Sequence, residues 1–391
     1  MGCSDVSGLA RKTRKVAMRL LMVINVDWFF LSHRLQVALG ALNEGHEVHV
    51  ATALTKDRSL LENYGFIVHP LELDRSGTGL ISVIKLFFNL LYLFWTLRPD
   101  VLHLVTIKPV LIGGLAARLS PVGGVLYAVS GLGHVFVTDG MLGKIRRKIV
   151  IAWYGFALGA RNKCIIFQNP DDRSEIESVA QLRKDQVVMI PGSGVDLSEF
   201  PITPLSEGES VVLMASRLLS TKGVREYVAA AQCLSISGVK VKFWLVGDPD
   251  PANLASIQTH ELNEWKKQGV VELLGQRSDI SELMAKAHIV VLPSYREGFP
   301  RVLIEAATCG RAVVTTDVPG CRDAIENGVT GLLVPSKDAH ALAEAIRRLI
   351  QDRVLCNAMG LAGRKRAEKL FDVHAVVNKH LEIYRALRKS A

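Results

Sequence analysis

The sequence predicts an α/β fold made of two doubly wound domains, each built on a parallel sheet. Its 391 residues exceed what one hydrophobic core usually supports, since single cores rarely grow beyond about 250–300 residues. Apolar residues make up 49% of the chain and charged residues 22%, which excludes disordered, collagen-like and coiled-coil proteins. Short apolar runs alternate with helical segments in both halves, as in parallel sheets covered by helices on both faces.

The first half contains four of these apolar runs. We predict strands over Arg19–Val26, Glu47–Thr52, Val101–Val105 and Val125–Ser130 and a helix over His33–Asn43 that ends at Gly45. Residues 1–17 are polar and basic and lack a convincing cleavage site, so we expect a flexible extension or an early start before Met18.

The second half repeats the pattern after a segment rich in Pro, Ser and Glu, Asp196–Ser210, which is the best linker candidate. We predict its strands over Val211–Ala215, Val239–Val246, Val270–Leu274, Ile289–Leu292, Ala312–Thr316 and Gly331–Val334. The expected domains are 18–190 and 191–370, followed by a C-terminal helix over 371–391 that packs back on the first domain. Ligands of such sheets bind beyond the carboxyl ends of the strands, so we expect the site in the cleft between the domains.

One segment, Leu80–Leu97, is unusually apolar, with Lys85 and Asn89 as its strongly polar members. It suits a buried core helix, a helix that enters the bilayer face without crossing it, or a transmembrane span. Residues 144–148 hold four basic side chains just before the apolar run Ile149–Leu158. Basic residues beside an apolar stripe bind anionic lipid, so peripheral membrane attachment is favoured.

The chain carries 47 basic and 38 acidic residues, a net charge of +9, which indicates an anionic partner. A nucleic acid is not expected, because basic and aromatic residues are not interleaved and no recognition helix is evident. The six cysteines form no CxxC pair, so we expect free thiols in a reducing compartment and no metal or other cofactor.

The segment Pro293–Glu305 carries the strongest chemical signal. Pro300 suits the start of a helix, and the amides of Arg301, Val302 and Leu303 would then be available to an anion such as a diphosphate. Glu297 lies in the loop before the helix and Glu305 in its second turn, with seven residues between the two glutamates. A carboxylate can accept hydrogen bonds from two hydroxyls, so one glutamate on a sugar and one on a ribose would suit a nucleotide sugar.

The segment Glu297–Pro335, with REGFPRVLIE, GRAVVTTDVPG and GVTGLLVP, closely resembles the donor-binding half of family 4 glycosyltransferases. That family consists of retaining enzymes with an E-x7-E motif and the GT-B fold, two Rossmann-like domains facing each other across a cleft. The resemblance implies that 18–190 bind the acceptor and 191–370 the nucleotide-sugar donor. Within the family the chain is most similar to bacterial enzymes that extend polyprenyl-diphosphate-linked saccharides.

The resemblance also implies roles for individual residues. Arg217 and Lys222 would hold the donor diphosphate and neutralise charge on the leaving group, Glu297 the sugar hydroxyls and Glu305 the ribose. The remaining implied donor-binding residues are Gly247, Asp248, Gln276, Arg277, Gly298, Phe299, Pro300, Arg301 and Val302. The Asp248-Pro249-Asp250 run is not expected to bind metal.

The first domain departs from the family pattern. Many members place a histidine after the strand that ends near Ser130, and here either Ser130 occupies that position or His134 takes it. We list His134 as a catalytic candidate. The loop Asp27–Arg34 ends at a predicted helix start, where His33 and Arg34 would bind acceptor phosphate.

The sequence therefore predicts a retaining transferase that moves a sugar, by subfamily resemblance an N-acetylhexosamine, from a UDP-sugar to a polyprenyl-diphosphate-linked saccharide. Its expected location is the inner face of the cytoplasmic membrane. Same-face attack, with the leaving phosphate as base, would need no protein base. The alternatives are a nucleotide-sugar epimerase, a sugar phosphorylase, or a non-catalytic scaffold of a polysaccharide assembly complex.

Overall fold

The computed structural model describes residues 18–72, 79–133, 141–251 and 253–389, without the side chains of 141–144 and 146. Within these ranges the chain forms two fully parallel sheets, of seven and six strands. The first holds β1 (Arg19–Val26), β2 (Glu47–Ala53), β3 (Ile67–Pro70), β4 (Val101–Val105), β5 (Gly124–Val129), β6 (Lys163–Phe167) and β7 (Val187–Met189). The second holds β8 (Ser210–Ala215), β9 (Val241–Val246), β10 (Glu272–Gly275), β11 (Ile289–Leu292), β12 (Ala312–Thr316) and β13 (Gly331–Val334).

Both sheets have the strand order of a dinucleotide-binding fold. The order is β3-β2-β1-β4-β5-β6-β7 in the first sheet and β10-β9-β8-β11-β12-β13 in the second. The chain reverses its direction of travel across each sheet once, beside β1 and β4 in the first and beside β8 and β11 in the second. Ligands of doubly wound sheets bind at these switch points, which fixes where the site must lie in each domain.

Helices cover both faces of each sheet. In the first part of the chain these are α1 (Asp27–His33), α2 (Leu35–Asn43), α3 (Ser59–Glu62), α4 (Leu80–Leu97), a π-helical turn (Pro109–Gly113) with α5 (Gly114–Ala117), α6 (Met141–Ala157) and α7 (Pro170–Glu177). In the rest they are α8 (Val224–Ile236), α9 (Thr259–Gln268), α10 (Ile280–Lys286), α11 (Arg301–Thr308), α12 (Cys321–Ala324), α13 (Ala339–Gln351), α14 (Arg353–Leu370) and α15 (Val373–Lys389).

The predicted strands are confirmed to within two residues at each end, and those of β1, β4, β11, β12 and β13 match at both ends. The prediction of a loop over Asp27–Arg34 is wrong, because α1 begins at Asp27. The Asp27 side chain ties this helix to the next loop by accepting from Thr55 N at 2.7 Å and Thr55 Oγ1 at 2.6 Å. Phe30, on the inner side of α1, is fully buried against Phe66.

The last helix, α15, lies against the first sheet, although α14 packs on α11 and β12 of the second. Val376, Leu381 and Tyr384 belong to the same buried cluster as the inner residues of β1 and β5. The Tyr384 hydroxyl and His103 Nδ1 of β4 lie 2.8 Å apart. The end of the chain thus spans both domains.

Helix α4 is apolar on both sides but is buried on only one of them. It buries Leu86, Leu90 and Phe94 against the first sheet, a spacing of four residues that places them on one face. The opposite side exposes Leu80, Ile81, Ile84, Phe88, Tyr92 and Trp95. The alternative of a buried core helix is therefore wrong for most of this segment. By length and composition α4 is a helix that could cross a membrane. Only 17% of it is buried in the fold.

Two buried histidines predict how stability depends on pH. Burial lowers the pKa of His380 to about 3 and, with His380 and Arg34 nearby, lowers the pKa of His103 well below its usual value. In the unfolded chain the pKa of histidine is about 6.5. As the pH falls below about 6.5, the unfolded chain binds protons that the folded chain does not. Each histidine should therefore lower the free energy of unfolding by about 1.4 kcal/mol for each pH unit of acidification below that value.

Urea unfolding of wild type, His380→Gln and His374→Gln between about pH 7.5 and 5 tests this dependence. His374 is exposed on the same helix and serves as the control. We expect the loss of stability on acidification to be shallower in His380→Gln and unchanged in His374→Gln. Equal slopes in all three proteins would contradict the assignment.

Candidate active site

A cavity of about 430 Å³ opens between the two domains at the carboxyl ends of their central strands. The first domain contributes residues that follow β1, β4, β5 and β6, and the second contributes residues that follow β8 and β11. The residues that line the cavity include Asn25, Trp28, Phe29, His33, Thr106, Ser130, Gly131, Gln168, Arg217, Lys222 and the run Arg296–Val302. This is where the switch points of both sheets meet, as the doubly wound topology requires.

The basic and acidic residues predicted for the donor meet in this cavity. Lys222 ends a short 3-10 turn after β8, and its Nζ lies 2.5 Å from Glu297 Oε1. The Ser294 hydroxyl donates to the same oxygen at 2.6 Å. The Glu297 carboxylate is therefore held in place from two sides while both partners remain at the cavity wall.

Helix α11 begins at the edge of the cavity. Its N-cap, Pro300, has extended backbone and provides no side-chain hydrogen bond to the helix. The prediction that three amides would be available is wrong for Leu303, whose N–H donates to the Pro300 carbonyl at 3.1 Å. Arg301 and Val302 line the cavity, so the positive end of the helix dipole lies at this wall.

A second cavity, of about 580 Å³, adjoins the first and shares Trp28, Arg217 and Val302 with it. It is lined by further predicted donor-binding residues: Gly247, Asp248, Gln276, Arg277 and Glu305. Burial raises the pKa of Glu305, and its carboxylate is paired with Arg301 Nε at 2.7 Å.

Arg217 lies where the two cavities join. Its Nη1 is 3.2 Å from Asp250 Oδ2, and its guanidinium lies 5.7 Å from the centre of the Trp28 ring. Trp28 belongs to the first domain, so this cation–π contact crosses the cleft. The pairing engages Asp250 of the Asp248-Pro249-Asp250 run with a protein cation.

The structure brings together most of the residues predicted for the site. Those that line one cavity or both are His33, Arg217, Lys222, Gly247, Asp248, Gln276, Arg277, Glu297, Gly298, Phe299, Pro300, Arg301, Val302 and Glu305. His134 lies outside the described residues.

The two predicted acceptor residues differ from expectation. Arg34 lines neither cavity: it is 2% exposed, and its Nη1 donates to the His33 carbonyl at 2.9 Å, so its predicted position facing the cleft is wrong. His33 does line the cleft, but it ends α1 rather than starting a helix. Burial, with Arg34 and Arg301 nearby, lowers its pKa to about 3, so its imidazole is neutral at physiological pH.

Sequence reasoning missed the contacts that join the domains beside Glu297. Arg296 Nη2 lies 2.5 Å from Asp172 Oδ1 at the start of α7, and Asn169 Nδ2 donates to the Gly298 carbonyl at 2.8 Å. The Asn169-Pro170 pair is a helix-start signal that could have located α7. Nothing local in the sequence could have identified its partners more than a hundred residues away.

Comparisons with known proteins decide the family. Residues 196–366 match the family model described as "Glycosyl transferases group 1", and residues 19–169 match "Glycosyl transferase 4-like". The chain is 30% identical over 378 residues to the N,N'-diacetylbacillosaminyl-diphospho-undecaprenol alpha-1,3-N-acetylgalactosaminyltransferase of Campylobacter jejuni, over 91% of this chain and 97% of that enzyme. The chain belongs to the family 4 glycosyltransferases.

One further relative and one solved structure of similar fold are informative about this glycosyltransferase. It is 27% identical over 321 residues to the UDP-Gal:alpha-D-GlcNAc-diphosphoundecaprenol alpha-1,3-galactosyltransferase of Escherichia coli, covering 78% of this chain and 80% of that enzyme. The structure of sucrose-phosphate synthase from Thermosynechococcus elongatus superposes with a TM-score of 0.78 at 21% identity, covering 95% and 99% of the two chains. The predicted GT-B fold is confirmed.

Gly298 allows the two domains of the glycosyltransferase to meet at backbone distance. A Cβ at this position would lie 2.2 Å from the Ser130 carbonyl oxygen and 2.9 Å from the Gly131 nitrogen. Both are backbone atoms that cannot move aside. Gly298→Ala should therefore displace Glu297 from the first domain and lower kcat/KM for sugar transfer by about tenfold or more.

Steady-state kinetics and thermal unfolding of Gly298→Ala and Gly363→Ala test this expectation. Gly363 lies in α14, where an added Cβ would make ordinary contacts at 3.6 Å with Ala307. This control should keep full activity and gain slight stability, because alanine favours a helix over glycine. Wild-type activity in Gly298→Ala would refute the close approach of the domains.

Proposed function

We propose that this glycosyltransferase transfers a sugar from a UDP-sugar to a polyprenyl-diphosphate-linked saccharide, with retention of the anomeric configuration. The observation that carries the proposal is the continuous pair of cavities with Arg217 at their junction, Lys222 and Glu297 in one and Glu305 in the other. A nucleotide sugar consists of a nucleoside, a diphosphate and a sugar in that order. Glu305, the two cations and Glu297 follow one another along the cleft in the order that would match these three parts.

The donor is assigned to the second domain. The nucleoside would occupy the cavity beside Gln276 and Glu305, whose carboxylate can accept ribose hydroxyls. The diphosphate would lie between Arg217, Lys222 and the start of α11, where two cations and the helix dipole favour negative charge. The sugar would then reach Glu297. The Escherichia coli relative is named for a UDP-galactose donor, which supports uridine as the base.

Charge that develops on the departing UDP would be stabilised by groups already in place, the form of catalysis that usually contributes most. Lys222, paired with Glu297 at 2.5 Å, needs little movement to reach an adjacent phosphate. We propose that these protein cations make a metal unnecessary. The pairing of Asp250 with Arg217 at 3.2 Å supports this assignment, because it commits that carboxylate to a protein cation.

Retention by same-face attack suits the side chains around the sugar position. Among the described residues that line the 430 Å³ cavity, Glu297 is the one carboxylate, and it is already paired with Lys222. His33 is a neutral imidazole with a pKa of about 3 and is too weak a base to activate a hydroxyl. We infer that the leaving phosphate takes the proton of the acceptor hydroxyl.

The acceptor and the sugar are inferred from the relatives. The Campylobacter jejuni and Escherichia coli enzymes are both named for undecaprenyl-diphosphate-linked acceptors, and the first is named for N-acetylgalactosamine transfer. We propose the same acceptor class here and an N-acetylhexosamine as the sugar. Such an acceptor is anchored in a membrane by its lipid.

The first domain has a surface suited to that membrane, which we call the apolar face. It consists of the exposed residues Ile81, Ile84, Phe88, Tyr92 and Trp95 of α4, Leu119, and Ile145, Ile149, Trp153 and Phe156 of α6. Two hydrogen bonds join the helices through residues 118–119: Trp95 Nε1 donates to the Leu119 carbonyl at 2.9 Å, and Arg118 Nη1 to the Phe156 carbonyl at 3.0 Å.

Exposed basic residues accompany helix α6. Lys148 is exposed on α6, and Arg161 is exposed just after that helix. Large exposed apolar surfaces combined with basic residues bind anionic membranes without spanning them. We propose that the enzyme attaches by this face to the inner surface of the cytoplasmic membrane.

Transfer assays test the proposed reaction. Wild-type enzyme is incubated with UDP-N-acetylgalactosamine, UDP-N-acetylglucosamine, UDP-galactose or UDP-glucose and with undecaprenyl-diphosphate-linked N-acetylglucosamine or diacetylbacillosamine. We expect a lipid-linked disaccharide with an α linkage by NMR, formed equally well with EDTA. A β-linked product would refute retention. Donor epimerisation, or no turnover of any pair, would favour the epimerase or scaffold alternatives.

Flotation with liposomes containing phosphatidylglycerol tests the membrane assignment. The double variant Phe88→Glu/Tyr92→Glu should lose flotation, because two charges would have to enter the interface. The control Val354→Glu changes an apolar residue that is 82% exposed on α14 of the second domain, and it should float like wild type. Equal flotation of all three proteins would refute attachment through the apolar face.

A further inference from the structure

The loop that carries Glu297 belongs to the second domain but is held by the first. Residues on both sides of Glu297 bond to α7: Arg296 to the Asp172 carboxylate at 2.5 Å, and the Gly298 carbonyl to the Asn169 amide at 2.8 Å. Two attachments that flank one residue restrict both its position and its rotation. Among the described residues, no comparable pair of bonds to the first domain flanks Glu305. Near that residue, Arg301 makes a single hydrogen bond across the cleft, to the Ser32 carbonyl.

The start of α7 is built as a rigid support for these two bonds. Asn169 is the N-cap, and its Oδ1 accepts from the Asp172 amide at 2.8 Å. Its Nδ2 donates both to Asp172 Oδ2 at 2.9 Å and to the Gly298 carbonyl. Both side chains belong to residues that are 0% exposed. One network thus caps the helix and fixes the two groups that reach across the cleft.

Burial distinguishes this contact from an ordinary surface ion pair. The side chain of Asp172 is 0% exposed and that of Arg296 14%. Burial raises the pKa of Asp172, and Arg296 opposes that rise. The charged form of the Asp172 carboxylate is therefore stabilised by Arg296. The neighbouring pair across the same interface, Asp171 and Arg322 at 3.2 Å, is about 40% exposed and is weakened by solvent.

We propose that Asp172 and Asn169 are positioning residues of the transfer reaction, which hold Glu297 at the donor sugar only while the two domains are closed. The inference rests on the proposed role of Glu297 in binding that sugar. Nucleotide binding, which we assign mainly to residues of the second domain away from α7, would not need these contacts. The first domain would thereby control the donor sugar as well as bind the acceptor.

Three variants separate positioning from folding. Asp172→Asn removes the charge that pairs with Arg296. Asn169→Ser keeps a good helix cap but is too short to reach the Gly298 carbonyl. Asp171→Asn is the matched control, since it removes the adjacent carboxylate that pairs across the interface without touching residues 296–298.

Calorimetry with UDP alone and steady-state kinetics with the donor and acceptor identified by the transfer assay are the readouts. We expect kcat to fall by about tenfold to a hundredfold in Asp172→Asn and Asn169→Ser, and to stay within about twofold in Asp171→Asn. The Kd for UDP should stay within about twofold of wild type in all three.

Wild-type kcat in both Asp172→Asn and Asn169→Ser would overturn the inference. A parallel loss of UDP affinity in those variants would also overturn it, because the contacts would then serve the fold of the donor site. Failure of the proposed function is a separate result: wild-type enzyme would not bind UDP or would use another donor. The kinetic comparison of the variants would still apply with that other donor.

Discussion

The active site depends on the meeting of residues 296–298 with the first domain. Gly298 lies so close to the Ser130 carbonyl that a methyl group would not fit between them. The side-chain amide of Asn169 donates a hydrogen bond to the Gly298 carbonyl. This contact closes the cleft at the carboxyl ends of both sheets and brings groups from two domains around one cavity. The contact of Trp28 with Arg217 also crosses the cleft and requires this closure.

Charge is arranged in the cleft so that each cation already has a partner. Lys222 is paired with Glu297, Arg217 with Asp250 and Arg301 with Glu305. A bound diphosphate would replace or extend these pairs without requiring large side-chain movements. Preorganisation of this kind lowers the cost of stabilising a leaving group. The same pairs compensate the charge of three largely buried carboxylates, which would be costly to leave unpaired.

Much of the fold could be predicted because it is encoded locally. Apolar runs such as Ile289–Leu292 identified the central strands, and Pro300 identified the start of α11. Three strands of the first sheet were missed: the short edge strands Ile67–Pro70 and Val187–Met189, and Lys163–Phe167. Arg34 is buried near Tyr384 of α15, which lies about 350 residues later in the chain, and the Asp172–Arg296 pair joins two domains. Such long-range contacts leave no periodic or compositional signal in the sequence.

The central claim is that Arg217, Lys222 and the start of α11 form a uridine-diphosphate site. Measuring the selectivity of nucleotide binding tests this claim most directly. Calorimetric titration of UDP, GDP and ADP would be compared in wild type, Lys222→Ala and Lys242→Ala. Lys242 is an exposed lysine of the same domain, 3.8 Å from Glu209, and serves as the control. We predict UDP binding that is selective in wild type, retained in Lys242→Ala and lost in Lys222→Ala. Equal or absent binding of all three nucleotides would contradict the account.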